Sequence, residues 1–146
     1  MIAVGSDHGG LELKQAICEL LKSRQLECSD FGTEGSDSVD YPDFGAKVAN
    51  AVSKGKVEKG ILICGTGIGM SIVANKFPGI RAALVHDEFT AQMSKEHNNA
   101  NILVMGGRIL NVEQGVRLVE IWLDTEFEGG RHQSRLLKIA AAEQSE

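Results

Sequence analysis

A cysteine and three glycines stand close together in the segment GILICGTGIGMS, residues 60–71. The apolar run that ends in Cys64 predicts a buried parallel strand, and Gly65, Gly67 and Gly69 predict a tight loop that leads into a helix. Alternating glycines let backbone N–H groups converge on an anion, and the positive end of a helix adds to their field. Cys64 would lie beside that point, where the field favours thiolate over thiol. A thiolate beside an oxyanion cradle can take a proton from a carbon next to a carbonyl group.

Strand and helix patterns alternate along the whole chain. They predict one domain over residues 1–146, a three-layer, Rossmann-like doubly wound α/β sheet of five mostly parallel strands with flanking helices. Such sheets bind ligands at the C-terminal ends of their strands. The predicted strands are Ile2–Gly5, Glu27–Phe31, Gly60–Cys64, Ile80–Val85 and Ile102–Met105. The predicted helices are Leu11–Ser23, Asp43–Ser53, one from the glycine loop toward Lys76, Glu88–His97, Val112–Leu123 and His132–Glu143.

The composition argues against several classes of partner. The 146 residues carry a net charge of −5, which disfavours nucleic acid and anionic membranes as partners. No apolar run approaches membrane-spanning length, and the N-terminus leads directly into a strand, so we expect neither an anchor nor a signal peptide. The three cysteines form no C-x-x-C pair, which suits a reducing cytoplasm and offers no zinc spacing. Cys18 and Cys28 are interpreted as packing or incidental surface thiols.

Polar residues follow the predicted strands where a ligand would bind. Asp7 and His8 follow the first strand, and Arg108 follows the fifth. His97 and Asn98 differ, because they close the helix before the fifth strand and are not at a strand C-terminus. Nearer the end of the chain, Arg131 and Arg135 stand four residues apart and face the same way on a helix. Two guanidinium groups on one face suit a phosphate group.

Each of these groups also has a purely structural interpretation. Cys64 could be an inert buried thiol, the glycine loop a simple turn, and His97 a helix cap. Asp7 and His8 could be turn residues, and the arginine pair a solvated face. For His86 and Asp87, the start of a helix is the preferred interpretation. A Walker loop is excluded, because Gly69-Met70-Ser71 lacks the required lysine.

Motifs spread along nearly the whole chain resemble those of the type-B ribose-5-phosphate isomerases, a family that also includes galactose-6-phosphate and allose-6-phosphate isomerases. Some members lack the cysteine and use a glutamate at the end of the glycine loop. Here Met70 stands at that position and Cys64 is present, so the resemblance implies the thiol branch. The matching segments are SDHGG at 6–10, DYP at 40–42, ICGTGIGMS at 63–71, NK at 75–76, IRA at 80–82, HN at 97–98, GGR at 106–108 and EGGRH at 128–132.

The resemblance implies an aldose–ketose isomerase that interconverts ribose 5-phosphate and ribulose 5-phosphate without a metal or organic cofactor. Cys64 would carry the proton between C2 and C1 through an enediolate, while Thr66 and His97 assist ring opening. The backbone of the segment Gly65, Thr66, Gly67, Ile68 and Gly69 would hold the enediolate oxyanion. Sugar hydroxyls would be bound by Asp7, Tyr41 and Asn98. The phosphate would be bound by His8, Arg108, Arg131 and Arg135.

The resemblance also implies a homodimer with its sites at the interface. We expect the C-terminal helix, about residues 131–146, to pack on the partner and to supply the arginine pair. Two alternatives stay open at this point. One is a hexose-6-phosphate isomerase, acting on allose or galactose 6-phosphate. The other is a non-catalytic domain that binds phosphate or a nucleotide.

Overall fold

A computed structural model describes residues 1–144 of the chain and shows one five-stranded sheet in which every pairing is parallel. The predicted doubly wound α/β fold is therefore confirmed. The strands are β1 (Ile2–Ser6), β2 (Cys28–Asp30), β3 (Lys59–Cys64), β4 (Ala82–Leu84) and β5 (Ile102–Gly106). They lie in the order β2-β1-β3-β5-β4, so β2 and β4 form the two edges.

Residues 1–144 form six α-helices, five of which pack on the sheet. They are α1 (Leu11–Ser23), α2 (Tyr41–Ser53), α3 (Ile68–Ala74), α4 (Glu88–Glu96), α5 (Val112–Asp124) and α6 (Arg131–Gln144). Helices α1, α4 and α5 pack on one face of the sheet, and α2 and α3 pack on the other. The last two residues of the predicted C-terminal helix, 145 and 146, lie outside the described residues. No helix within residues 1–144 is long and apolar enough to cross a membrane.

The central strand β3 shows how the sequence builds the two cores. Its side chains alternate between the faces of the sheet, as a strand with helices on both sides requires. Ile61 and Ile63 join the core beneath α1, α4 and α5. Leu62 and Cys64 join the core beneath α2 and α3. The thiol of Cys64 therefore faces the α2–α3 layer.

The strand order places a binding crevice between β1 and β3. The chain leaves β1 for the edge strand β2 and then returns to β3 on the other side of β1. Helix α1 follows β1 onto one face, while α3 follows β3 onto the opposite face. Loops that diverge in this way leave an opening at the C-terminal ends of the two strands. Ser6 pairs with Ile63 and Cys64 pairs with Gly106, so the ends of these strands are level.

The predicted element bounds differ from the structure mainly at the edges of the sheet. Strand β2 is shorter than the predicted Glu27–Phe31, and β4 is shorter than the predicted Ile80–Val85. Each has a neighbouring strand on one side only, so fewer backbone hydrogen bonds extend it. Helix α2 begins at Tyr41 rather than Asp43, and Pro42 lies in its first turn. Backbone N–H groups in the first turn make no hydrogen bond within the helix, so a proline, which lacks this group, fits there.

The glycine loop depends on Gly67, which precedes α3 in the left-handed conformation with φ of 82°. A Cβ atom at this position would lie 2.9 Å from the backbone carbonyl carbon of Met105. Gly55 also has a positive φ of 73°, but its surroundings are open to a Cβ atom. The two glycines thus share a backbone requirement, and only Gly67 adds a close approach to β5.

We predict that Gly67→Ala lowers the free energy of unfolding by about 3 kcal/mol or more, and that Gly55→Ala lowers it by about 1–2 kcal/mol. Both variants pay the left-handed backbone penalty, whereas only Gly67→Ala forces the glycine loop away from the backbone of β5. Urea unfolding of the two variants measures the difference. Equal losses would contradict the close approach described for Gly67.

Candidate active site

Cys64 is the last residue of β3 and is 5% exposed. The backbone N–H of Gly67 donates a hydrogen bond of 3.2 Å to its sulfur. The left-handed turn at Gly67 aims this N–H back at the end of the strand. The loop therefore brings a backbone donor directly to the thiol of Cys64.

The remaining N–H groups of the glycine loop have different roles. The N–H of Ile68 donates to the hydroxyl oxygen of Thr66 at 3.3 Å. The N–H groups of Gly65, Thr66 and Gly69 have no acceptor among residues 1–144. The N–H of Gly67 thus donates to the Cys64 sulfur, and the N–H of Ile68 donates to the Thr66 hydroxyl. That the segment holds an oxyanion stays a prediction. The side chain of Ile68 itself is 54% exposed.

The loop after β1 lies beside the glycine loop. The N–H of Asp7 donates to the carbonyl oxygen of Ile63 at 3.2 Å, and the Asp7 carboxylate accepts from the N–H of Gly9 at 2.9 Å. This carboxylate is nearly buried, with the residue 7% exposed. Asp7 is thus held next to the end of β3, and its role in binding a sugar hydroxyl stays a prediction.

Arg108 connects the loops after β1, β3 and β5. Its backbone N–H donates to the carbonyl oxygen of Gly65 at 3.0 Å. Its guanidinium group lies against Gly9 and Gly65, 3.6 and 3.4 Å from the points where side-chain carbons of those residues would stand. Both distances correspond to ordinary van der Waals contact, so the guanidinium group packs on the two loops. The arrangement puts a positive charge beside the N–H groups of the glycine loop.

Two further side chains lie beside the glycine loop, His8 just after β1 and Tyr41 at the start of α2. The Nδ1 atom of His8 accepts a hydrogen bond of 3.2 Å from the N–H of Val39. In the neutral ring the proton therefore resides on Nε2, which is left to donate to a ligand. The ring of Tyr41 occupies the space where a side chain on Gly69 would stand. Glycine at position 69 therefore lets a phenol group lie against the loop.

The structure places the other four predicted residues in a second group, around the C-terminal end of α4 and the start of α6. His97 stacks on His132 with ring centroids 4.1 Å apart and an angle of 15° between the rings. Asn98 lines a hollow with Leu136 of α6. Arg131 and Arg135 are exposed on the same helix. No hydrogen bond or ion pair within residues 1–144 links this group to Cys64 or to Arg108.

The two groups lie at opposite ends of the parallel strands. Lys95, in the last turn of α4, and Lys59, the first residue of β3, both lie over the ring of Trp122, at 5.3 and 5.8 Å from its centroid. Burial, and then repulsion from Lys59, lowers the pKa of Lys95 to about 8. Strand β3 spans six residues from Lys59 to Cys64, or about 16 Å. His97 is thus separated from the thiol of its own chain by the length of the strand.

His132 is a member of the second group that sequence reasoning did not single out as a functional residue. The residue is 3% exposed, and its Nε2 atom lies 3.8 Å from a carboxylate oxygen of Glu128. This nitrogen has no hydrogen-bond partner among residues 1–144. Burial, followed by the nearby charge of His97, lowers the pKa of His132 below the usual range, although Glu128 acts in the opposite direction. The spacing of Glu128 and His132, four residues apart, was the available signal.

His97, Glu128 and His132 are also the group of possible metal ligands that the described residues bring together, with ligand atoms within 4.8 Å of one another. The lone pairs of imidazole nitrogens lie in the ring planes. Because the two rings are nearly parallel, their lone pairs run side by side and do not converge on one ion. This arrangement fits a ring stack better than a metal site.

The fold and the first group of residues define a doubly wound α/β protein with a thiol and a glycine loop at its crevice. The chain belongs to the Ribose/Galactose Isomerase family, whose model matches residues 2–139. It is 48% identical to ribose-5-phosphate isomerase B of Escherichia coli over 143 residues, 98% of this chain and 96% of that protein.

Two solved structures are similar over nearly the whole chain. A ribose-5-phosphate isomerase B of Clostridium thermocellum is 54% identical, with a TM-score of 0.96 over 98% of this chain and 97% of that one. The enzyme of Mycoplasma genitalium is 44% identical, with a TM-score of 0.96 over 99% of this chain and 97% of that one, and contains bound ribulose 5-phosphate. The predicted family is confirmed.

The lowered pKa of His132 predicts a loss of stability on the acid side. Above about pH 6.5 the side chain is neutral in both the folded and the unfolded chain. Below that pH the unfolded chain binds more protons at this residue, so the free energy of unfolding falls as the pH falls. We expect His132→Phe, which keeps a flat ring and cannot titrate, to flatten the fall in melting temperature between pH 7.5 and 5.5.

His86→Gln is the matched control for this measurement, because His86 is exposed and stacks on no other ring within residues 1–144. The control should retain the wild-type pH dependence. An unchanged slope in His132→Phe would contradict the assignment of His132 as a buried, neutral histidine.

Proposed function

We propose that this protein is an aldose–ketose isomerase that interconverts ribose 5-phosphate and ribulose 5-phosphate, with Cys64 as the base. Family membership makes it an isomerase, and the E. coli and C. thermocellum relatives carry that specificity in their names. The observation that supports the mechanism is the hydrogen bond from the Gly67 N–H to the Cys64 sulfur beside unoccupied N–H groups. A base and an oxyanion site at one point are what proton abstraction next to a carbonyl group requires.

The chemistry would begin with the opening of the sugar ring. His97 would protonate the ring oxygen, and Thr66 would assist as the C1 hydroxyl proton leaves. The Cys64 thiolate would then take the proton from C2 of the open-chain aldose. The resulting enediolate would carry its charge toward the N–H groups of Gly65, Thr66 and Gly69. The thiol would then return its proton to C1 as the proton of the O2 hydroxyl passes to O1, which gives the ketose and restores the thiolate.

Binding would fix the two ends of the sugar phosphate. We assign the hydroxyl groups to Asp7, Tyr41 and Asn98, and the phosphate to the four basic residues His8, Arg108, Arg131 and Arg135. The Nε2 proton of His8 suits a phosphate oxygen, because Val39 already occupies the Nδ1 atom. Arg108 packs on Gly9 and Gly65, so its charge would stand beside the glycine loop.

We further propose that two copies of the chain complete each site. His97, Asn98 and the α6 arginines lie at the edge of the sheet opposite Cys64, so they would reach the thiol of a partner rather than their own. In a twofold dimer both sites form at once, because each copy gives one group and receives the other.

Exposed apolar side chains support this assembly. Ile68 and Ile72, one helical turn apart on α3, are 54% and 58% exposed beside the glycine loop. Leu137 and Ile139 on α6 are 61% and 51% exposed beside the second group. Contact between the α3 surface of one copy and the α6 surface of its partner would bury both and bring the two groups of site residues together.

The proposed reaction assigns no step to a metal or an organic cofactor. Backbone N–H groups and the arginines would balance the charge of the enediolate and the phosphate. A chelator should therefore leave turnover of ribose 5-phosphate unchanged. Allose 6-phosphate and galactose 6-phosphate, assayed in parallel, measure the preference between five- and six-carbon substrates.

We predict that Cys64→Ser lowers kcat for ribose 5-phosphate at least about a hundredfold, because a hydroxyl group is a much weaker base than a thiolate. Binding of the sugar phosphate should change little, since the anion-binding residues remain. Cys28→Ser, which removes a thiol on the other face of the sheet, is the control and should retain full turnover. A kcat for Cys64→Ser within a few-fold of wild type would contradict the thiol mechanism.

A further inference from the structure

Cys18 and Cys28, interpreted from the sequence as unrelated thiols, are neighbours in space. Their sulfur atoms lie 3.2 Å apart and share a hydrogen bond, although ten residues separate them in the chain. Cys18 projects from α1 and Cys28 from the edge strand β2, and both are half-buried against the core beneath α1. The fold therefore brings two free thiols together at a site unconnected with Cys64.

The two thiols are close to the geometry of a disulfide. A disulfide bond is about 2.05 Å long, so the sulfur atoms need to approach by about 1.2 Å. Rotation about the two Cα–Cβ bonds is the movement that would close this gap. Both side chains are partly open to solvent, so a small reagent can reach them.

An ion pair between the buried Lys14 and the exposed Asp30 holds the two supporting elements together. Lys14, one turn before Cys18 on α1, donates to both carboxylate oxygens of Asp30 at 2.8 and 2.6 Å. Asp30 lies two residues beyond Cys28, on the same face of β2. The Lys14 side chain is 2% exposed. Because this pair bridges α1 to β2 next to the thiols, the sulfur atoms are kept in contact.

The surroundings also distinguish the two thiols. The hydrogen bond that Cys28 shares with Cys18 lowers the pKa of Cys28 against the opposing effect of its burial. The same pairing, together with burial, raises the pKa of Cys18. Lys14 favours the thiolate form of each, and Asp30 opposes it. Cys28 is therefore the thiol that ionises first and attacks first.

We propose that Cys18 and Cys28 form a redox modification site, which a low-molecular-weight disulfide oxidises reversibly to an intramolecular disulfide joining α1 to β2. The Cys28 thiolate attacks one sulfur of the small disulfide, and one small thiolate leaves. The Cys18 sulfur, losing its proton, then attacks the Cys28 sulfur of the mixed disulfide and expels the second small thiolate. Two protein thiols are oxidised and one small disulfide is reduced to two thiols, which take up the two released protons.

The modification would act on stability and leave catalysis intact. Cys64 faces the α2–α3 core, whereas Cys18 and Cys28 pack against the core on the other face of the sheet. Closing the loop between residues 18 and 28 restricts the unfolded chain, so we expect the oxidised protein to melt about 5–10 °C higher. Isomerase turnover of the oxidised protein should stay within twofold of the reduced protein.

The test equilibrates the full chain with oxidised glutathione and compares it with the dithiothreitol-reduced form. We expect the mass to fall by about 2 Da, the free thiols to fall from three to one, and a peptide linking Cys18 to Cys28 to appear. The rise in melting temperature should accompany these changes and disappear on reduction. Because the thiol count is read on the wild-type protein, the outcome does not depend on whether a variant folds.

Three single variants are the controls. Cys18→Ser and Cys28→Ser should each abolish both the mass loss and the rise in melting temperature. Cys64→Ser, which removes a buried thiol with no thiol neighbour, should show both changes as wild type does. Three free thiols after equilibration, a stable glutathione adduct at one cysteine, or a linked peptide containing Cys64 would each overturn the proposal.

Discussion

The common direction of the five strands is the constraint on which the rest of this molecule depends. Parallel strands all have their C-terminal ends on the same side of the sheet, and each helix between them must return the chain to the side where the strands begin. Cys64 and its glycine loop therefore share an edge with Asp7 and Arg108. Helix α4 runs the opposite way and leaves His97 beside the starts of the strands. One directional rule thus assembles half of the proposed site and separates it from the other half.

Close backbone packing makes the assembled half rigid. Glycines at the loop positions allow β1, β3 and β5 to end in mutual contact, so Arg108 rests on Gly9 and Gly65. The same packing turns the Gly67 N–H onto the Cys64 sulfur. The contact to the Cys64 sulfur and the packing of Arg108 are therefore parts of one backbone arrangement. The proposed base, held in this way, would lose little entropy when a substrate binds.

Much of this arrangement could be predicted from the sequence because it is local. The apolar run before Cys64 and the spaced glycines indicated strand, loop and helix, and the alternating patterns indicated the α/β fold. Contacts between distant segments left no such signal. The approach of Cys18 to Cys28 requires α1 to lie over β2, and the stack of His97 on His132 requires α6 to return to the end of α4. The sequence did place His97 away from the strand C-termini, but it gave no measure of how far.

A hybrid dimer of Cys64→Ser and His97→Gln subunits, purified with a different tag on each chain, is the most direct test of the proposed shared site. Each parent homodimer should be inactive, because both of its sites lack one residue. If each site joins Cys64 of one copy to His97 of the other, the hybrid holds one intact site of two, and we predict about half the wild-type kcat per dimer. A hybrid as inactive as its parents would place both residues in a single chain and contradict the shared site, and full turnover by the His97→Gln homodimer would remove His97 from the mechanism.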